Sequence, residues 1–369
     1  MPVKALRNFD WLFFFTLLAL TGLGIAFIWS STHWVDSRDS MAAQQLRWMG
    51  LSVLVLLVVA AVDYTKLAPL AYVGYALALL SLVLVMLIGV ERNYARRWIQ
   101  LPGFMVQPSE PAKIAVILAL AYYLRYRRNC RTLSGLIVPL LIVLVPMALI
   151  LRQPDLGTAL VLLPALFAML YAAGASVRHL GVVVAAGIAA APMMWFTVMG
   201  QAQKGRILGF LWPHSDPYGT GWHVRQSLAA VVSGGLFGKG FSSGSPVLLN
   251  RGFASHTDFI FAVIAHEWGF VGSMLVVLLL FMFFSRGLEI AGATREPFGR
   301  LVVVGLLATL AFQAVVNVAM TIRLCPITGV TLPFVSYGGS SLLVSYVMAG
   351  LILNVGMRRK ATVAPDDFS

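Results

Sequence analysis

Charge is scarce in this sequence. Only 11% of its 369 residues are Asp, Glu, Lys or Arg, against 59% that are hydrophobic. So little polar surface cannot clothe a soluble globule of this size, which makes a membrane the expected solvent. Acidic residues are rarer than basic ones, 14 against 27, and the formal net charge is +13. The basic excess sits in short clusters between apolar runs instead of along one face, so it reads as membrane-flanking charge and gives no nucleic-acid partner. Cysteine is nearly absent. Cys130 and Cys325 are far apart, on opposite sides of the bilayer in the topology below, so neither a disulfide nor redox chemistry is expected. The first apolar run, Trp11 to Ser30, is long and lacks a small-residue cleavage site ahead of the polar stretch Thr32 to Arg47, so it is expected to be a retained anchor. No internal repeat stands out, which counts against an inverted-repeat transporter.

What is present is a series of runs long enough to cross a hydrocarbon core of ~30 Å, at ~1.5 Å per helical residue. Ten such runs are expected: Trp11 to Ser30, Trp48 to Val62, Leu67 to Val90, Ala112 to Leu124, Leu133 to Leu151, Gly157 to Ala173, Leu180 to Met199, Phe259 to Ser285, Leu301 to Ile322 and Leu342 to Met357. With the N-terminus inside, the cytoplasmic segments carry Lys4 and Arg7, then Arg125, Arg127, Arg128 and Arg131, then Arg286, Arg295 and Arg300, and finally Arg358, Arg359 and Lys360. This is the positive-inside pattern, and it puts both termini in the cytoplasm.

The expected fold is therefore all-α and integral to the membrane, a single polytopic domain over 1–369 with one long extracytoplasmic loop, 200–257. The apolar patches of that loop, Ile207 to Trp212 and Leu228 to Val232, are too short for a core of their own, so it should lie on or dip into the outer membrane face. Its glycines Gly234, Gly235, Gly238 and Gly240 include Gly238-Lys239, but no Ser or Thr follows and no strand precedes, which argues against a phosphate-binding P-loop.

Ionisable groups near membrane depth are costly, so each is a functional candidate. Four clusters fall on the predicted outer side. Gln107 to Lys113 opens the fourth span; Ser109 is expected to cap it, Pro111 fits the first turn, and Glu110 and Lys113, at i and i+3, share a face. Arg96-Arg97-Trp98 reads either as an interface anchor or as an anion clamp for a pyrophosphate. In Arg152 to Thr158, Asp155 beside Pro154 shapes a turn or caps the sixth helix. In Ser255-His256-Thr257-Asp258, Ser255 and Asp258 have a capping-box spacing, yet the wholly apolar Phe259 to Ile264 that follows leaves Asp258 at the membrane mouth, where desolvation would raise its pKa. Asp258 and Glu267 are about 13 Å apart along one helix and on roughly opposite faces, so they cannot share a metal by themselves.

Together these motifs resemble the SEDS family (shape, elongation, division and sporulation), which includes RodA and FtsW. The resemblance rests on Arg97-Trp98, Gln107-Pro108-Ser109-Glu110 with Lys113, Gln153 to Thr158, Asp216-Pro217 with Gly219 to Ser227, His256 to Phe261, and Pro333 to Ser341. Length and the short N-terminus look more like the elongation member. The resemblance implies a peptidoglycan glycosyltransferase of the bacterial inner membrane that polymerises lipid II into nascent glycan on the extracytoplasmic side, beside a class B penicillin-binding protein. It implies Asp258 as the essential aspartate, with Glu110, Lys113, Arg97, Trp98, Asp155, His223, Ser227, His256, Thr257, Ser336 and Ser340 binding substrate or lining its cavity. Departures fall at Arg251 to Ser255, at His266-Glu267 where a glutamate pair is common, and at Arg323 where glycine is usual.

Converting an α-linked sugar pyrophosphate into a β-1,4 glycan inverts the anomeric centre, which asks for one base and not a close carboxylate pair. Asp258 is expected to be that base, with Arg97, Lys113 or a divalent cation (Mg or Mn) stabilising the pyrophosphate, and no nucleotide needed. The rivals are a lipid II flippase and a scaffold for the crosslinking partner. A flippase should need polar residues along the inner half of its path, where Gln313 and Asn317 are the main ones.

Overall fold

The computed structural model describes residues 8–32, 40–92, 95–101, 104–126, 132–197, 199–212, 219–243 and 256–358. Several expectations fall outside these: Lys4, Arg7, Arg127, Arg128, Arg131, Arg359 and Lys360 of the basic clusters, Cys130, Asp216, Pro217, and the 251–255 segment.

Each of the ten expected spans has its helix: α1 (Trp11–Thr32), α2 (Met41–Ala61), α3 (Ala71–Ile88), α4 (Ser109–Leu124), α5 (Ile137–Arg152), α6 (Leu156–Ala172), α7 (Val177–Thr197), α10 (Ile260–Ala293), α11 (Pro297–Thr321) and α12 (Gly339–Arg358). Eight of the described helices are long and apolar enough to cross a membrane; α6 is apolar but shorter, and α4 has only 16 residues. The chain is an all-α multi-pass membrane protein. Its helices lack polar outer faces because their lipid-facing sides are apolar too: Leu77, Leu80 and Leu87 of α3 and Ile188, Met193 and Phe196 of α7 are all exposed.

Three features depart from the reading of the sequence. Residues 90–106 form a small antiparallel ribbon, β1 (Val90–Arg92), β2 (Ala95–Leu101) and β3 (Phe104–Val106), with Val90 opposite Trp98 and Ile99 opposite Val106. The 200–257 loop carries two helices, α8 (Gln201–Leu211) and α9 (Thr220–Gly234), and α9 packs on α10. Finally, α10 is broken at Gly269, whose φ of 64° is non-helical. The glycine-rich turn after α9 fills that break: Lys239 and Gly240 donate their N–H groups to the carbonyls of His266 and Glu267 (3.0 Å each), while Phe270 and Val271 donate to Gly235 and Leu236 (2.9 and 3.1 Å). A Cβ on Gly238 would lie 2.0 Å from the Glu267 carbonyl oxygen, so only glycine permits this approach. These glycines thus serve helix packing.

The bundle has two chemically distinct ends. At one, Asp10 at the start of α1 pairs with Arg286 of α10 (2.8 Å), Asn8 donates to the Met357 carbonyl, and Arg358 donates to the carbonyls of Ala60 and Ala61. At the other, Ser30 near the end of α1 donates to Glu267, and the first residues of α4, α6 and α10 converge. Between these ends the core is close-packed around α11 and α12, with Phe13 stacked on Phe283 (4.3 Å) and Phe334 tilted against Phe283 (5.0 Å).

Candidate active site

Asp258 lies immediately before α10. The capping reading fails here: the helix begins at Ile260 with Phe259 as its N-cap, so Asp258 caps nothing and its side chain forms no described hydrogen bond or ion pair. Its backbone, by contrast, is held firmly. Asn317, fully buried in α11, donates from Nδ2 to the carbonyls of Asp258 (2.9 Å) and Val330 (2.8 Å). Ser336 Oγ donates to the Thr257 carbonyl (2.7 Å) and accepts from the Leu332 N–H (2.9 Å), and the Tyr337 N–H donates to the His256 carbonyl (2.9 Å). Three consecutive residues, His256 to Asp258, are therefore pinned to the α11–α12 connection.

That connection is fixed in turn by α1 and α2. Gln45 donates to the Ser336 carbonyl (3.1 Å) and accepts from the Gly338 N–H (3.2 Å), and Tyr337 donates its hydroxyl to Gln44 (2.7 Å). Gly24 of α1 lies against Val335, where a Cβ would come 2.4 Å from the carbonyl oxygen.

Asp155 is the N-cap of α6, as its place beside Pro154 suggests: its carboxylate accepts from the Thr158 N–H (3.2 Å) and hydroxyl (3.0 Å), and from Gln107 Nε2 (2.8 Å). Arg97 of β2 donates from Nε to the Gln153 carbonyl (3.0 Å) and from Nη2 to the Pro154 carbonyl (2.6 Å), with Nη1 3.7 Å from Asp155. Its donors clamp the α5–α6 turn, so the expected anion clamp is engaged by protein. Two residues past Gln107, α4 begins. Pro108 is its N-cap and makes no side-chain bond, so Ser109 is not the cap; its hydroxyl is buried without a partner among the described residues. Pro111 does sit in the first turn. Glu110 Oε1 accepts from Lys113 Nζ (2.8 Å), both side chains buried, and Glu110 Oε2 has no hydrogen-bond partner among the described residues.

Of the remaining candidates, His223 of α9 stacks on Phe259 (6.2 Å, 9°), beside the aspartate. The Ser227 hydroxyl donates to the Thr321 carbonyl (2.8 Å), tying α9 to the end of α11. Trp98 is half-buried in β2 opposite Val90, and Ser340 is half-buried in the first turn of α12. The hydroxyls of Ser227 and Ser336 serve the backbone. His266 and Glu267 turn to α9 and α1: His266 Nδ1 meets Ser233 Oγ (2.7 Å), and Glu267 takes the Ser30 bond.

Sequence reasoning missed Arg206. It projects from α8, half-buried, and donates from Nη1 to the Thr328 carbonyl (2.9 Å). Gly329, with φ of 73°, separates it from the aspartate: the point a Cβ would occupy there is 3.5 Å from Arg206 Nη1 and 3.8 Å from Asp258 Oδ2. Asp258 keeps some contact with solvent yet lies deep among protein atoms. Burial pushes its carboxyl above the usual carboxylate range, Asp155 adds to the rise, and Arg206 and Arg97 oppose it. Burial likewise lowers the His256 imidazole, favouring its neutral form.

The family model described as "Cell cycle protein", for FtsW, RodA and SpoVE, matches residues 10–361. A probable peptidoglycan glycosyltransferase FtsW of Trichlorobacter lovleyi is 37% identical, over 95% of this chain and 93% of the relative. The peptidoglycan glycosyltransferase MrdB of Escherichia coli K12 is 36% identical, over 93% of this chain and 92% of the relative, and RodA of Treponema pallidum is 33% identical, over 97% and 100%. Among solved structures, a chain from work on polymerisation and crosslinking by a peptidoglycan synthase complex superposes with a TM-score of 0.83 at 33% identity, covering 95% of this chain and 98% of that one. The crystal structure of Thermus thermophilus RodA gives 0.72 at 32% identity, with the same coverage. With a family match over nearly its whole length and relatives above 30% identity at both ends of the chain, this protein belongs to the SEDS family of FtsW, RodA and SpoVE.

Proposed function

We propose that Asp258 is the general base with which this chain polymerises lipid II. As a member of its family the chain is a peptidoglycan glycosyltransferase. One observation supports the role of Asp258 most directly: its backbone is pinned by Asn317 while its carboxyl has no partner among the described residues. A base needs that combination, a fixed position and an unoccupied acceptor, together with a pKa lifted toward the working pH.

In the proposed step the acceptor sugar hydroxyl attacks the donor's anomeric carbon from the face opposite the pyrophosphate. The new C–O bond forms as the anomeric C–O bond to pyrophosphate breaks. The hydroxyl proton passes to Asp258, and the electron pair leaves with the pyrophosphate. Inversion requires no second carboxylate. The expected divalent cation has no cage of protein ligands here: among the described residues no three His, Cys, Asp or Glu side chains come together, and Asp155 is engaged by Gln107 and Thr158. A magnesium or manganese ion would here be held by Asp258 and the substrate's own diphosphate oxygens, and it would supply charge stabilisation to the leaving group.

The basic end of the bundle, with Arg286 and Arg358, fits the cytoplasmic side, which would set Asp258 at the extracytoplasmic face of a bacterial inner membrane. We read lipid II and nascent glycan as the substrates and a class B penicillin-binding protein as the partner, on the names of the relatives and the synthase complex. Relatives named FtsW and RodA match with similar identity, so service in elongation is part of the same proposal. Asn317, a polar residue that a flippase reading would claim for a transmembrane path, instead holds the site. The test is to incubate the purified protein, with and without its partner, with labelled lipid II and size the products on a gel. Strands that depend on Asp258 are expected; lipid II recovered unchanged, with the protein folded and its partner bound, would return the scaffold reading.

A further inference from the structure

Three cations have been described around the site, and they differ in what their donors do. Arg97 has Nε and Nη2 on backbone carbonyls and Nη1 toward Asp155. Lys113 is buried against Glu110. Arg206 makes one bond, from Nη1 to the Thr328 carbonyl, and its other guanidinium donors have no acceptor among the described residues. It is half-buried, so a ligand can reach it, and it faces Asp258 without forming an ion pair. The space between the two is open because position 329 is glycine.

A half-buried guanidinium with donors left over, opposite a carboxylate it does not touch, is a site for an anion. The acceptor hydroxyl is neutral and goes to Asp258. The donor's diphosphate is the anionic part of the substrate, and its oxygens match the planar fork of an arginine. We propose that Arg206 is a catalytic residue that binds the diphosphate of the donor lipid across Gly329 from Asp258 and receives the negative charge that builds on it as the anomeric C–O bond breaks. This rests on the glycosyltransferase reading and moves to Arg206 the role expected of Arg97 or Lys113. Of the three pairings Arg97–Asp155, Lys113–Glu110 and Arg206–Asp258, only the third leaves a gap between cation and carboxylate. Protonation of Asp258 by the acceptor leaves the Arg206 charge unopposed just as the leaving diphosphate gains a further negative charge, so the two residues act in step.

The experiment uses the full chain in lipid nanodiscs, titrated with a polyprenyl diphosphate and, separately, with the polyprenyl monophosphate. Wild type should prefer the diphosphate. Arg206→Ala should lose that preference by about tenfold or more, as expected for charge-assisted hydrogen bonds, and Arg206→Lys should retain part of it. Asp258→Asn should keep it while losing turnover. An unchanged diphosphate-to-monophosphate ratio in Arg206→Ala overturns the proposal even if its turnover falls, because the arginine would then act only through Asp258. Should the alanine variant not accumulate, Arg206→Gln and Arg206→Lys carry the same comparison, with the same ratio deciding. Wild type that discriminates through Arg206 yet makes no polymer from lipid II would sink the glycosyltransferase reading and the catalytic role with it, leaving Arg206 as a diphosphate-binding residue. Polymer formation with unaltered discrimination in Arg206→Ala would leave that reading standing and overturn this one.

Discussion

Asn317 and Asp258 are joined by one hydrogen bond, 2.9 Å from the amide of the first to the backbone carbonyl of the second, and the same amide nitrogen reaches Val330. One side chain thereby sets the distance between the aspartate and the loop that bears Gly329. Asn317→Asp removes the donor and points a carboxylate at two carbonyls, each of which then lacks its partner at about 1–3 kcal/mol. Polymerisation should fall by at least about tenfold, with a lowered melting temperature. Wild-type activity in that variant would show that the loop holds its place without Asn317.

Asp258→Asn keeps size and shape but cannot take a proton. The protein should insert, accumulate and hold its partner while glycan synthesis drops by roughly 10²–10⁴-fold, the range for loss of a general base. Synthesis above about a tenth of normal on a lipid II gel would remove Asp258 from the base role.

The raised pKa of Asp258 has two consequences of definite sign. Activity needs the ionised form, so the acid limb of the rate profile should lie above the pH at which an ordinary carboxyl titrates. Stability runs the other way. Between the unfolded and the raised folded pKa the native state holds a proton that the unfolded chain has released, so this group's contribution falls as pH rises through that window. Asp258→Asn should therefore melt higher than wild type above the window, and the difference should vanish in acid. A variant that melts lower at every pH would contradict the assigned direction.

The Glu110–Lys113 pair is buried, and removing either partner strands a charge at about 3–5 kcal/mol. Lys113→Ala and Glu110→Ala should each lose most polymerisation, and Lys113→Arg should be partly tolerated, since a forked guanidinium is bulkier than an ammonium. The double variant Glu110→Gln, Lys113→Met should recover expression beyond either single change. If it recovers activity as well, the pair serves the start of α4 and not the reaction.

The spans were legible because apolar runs of membrane length leave few alternatives, and each has its helix, from Trp11–Thr32 to Gly339–Arg358. Asp155 as a cap was legible from its place beside Pro154. Three things were not. The ribbon over 90–106 is built from strands of three, seven and three residues, too short for a pattern to announce them. Ser109 and the Ser255–Asp258 spacing carried cap chemistry, yet the helices begin elsewhere because tertiary contacts hold the preceding residues. Arg206 gave no signal of its own: Lys204-Gly205-Arg206 reads as a basic stretch of loop, and its meaning depends on Thr328 and Gly329, more than a hundred positions away.

The break in α10 at Gly269 divides one long helix into a short arm, beginning two residues after Asp258, and a shaft that crosses the bundle. Backbone groups that a continuous helix would bond internally are instead bonded to the turn after α9, through Lys239, Gly240, Gly235 and Leu236. The turn is thus bonded to both sides of the break, to the His266 and Glu267 carbonyls of the arm and to the Phe270 and Val271 N–H groups of the shaft. A shift of α9 would therefore act on both sides of the glycine joint at once. The aspartate ahead of the arm is held by the α11–α12 connection, and the joint behind the arm by the turn after α9.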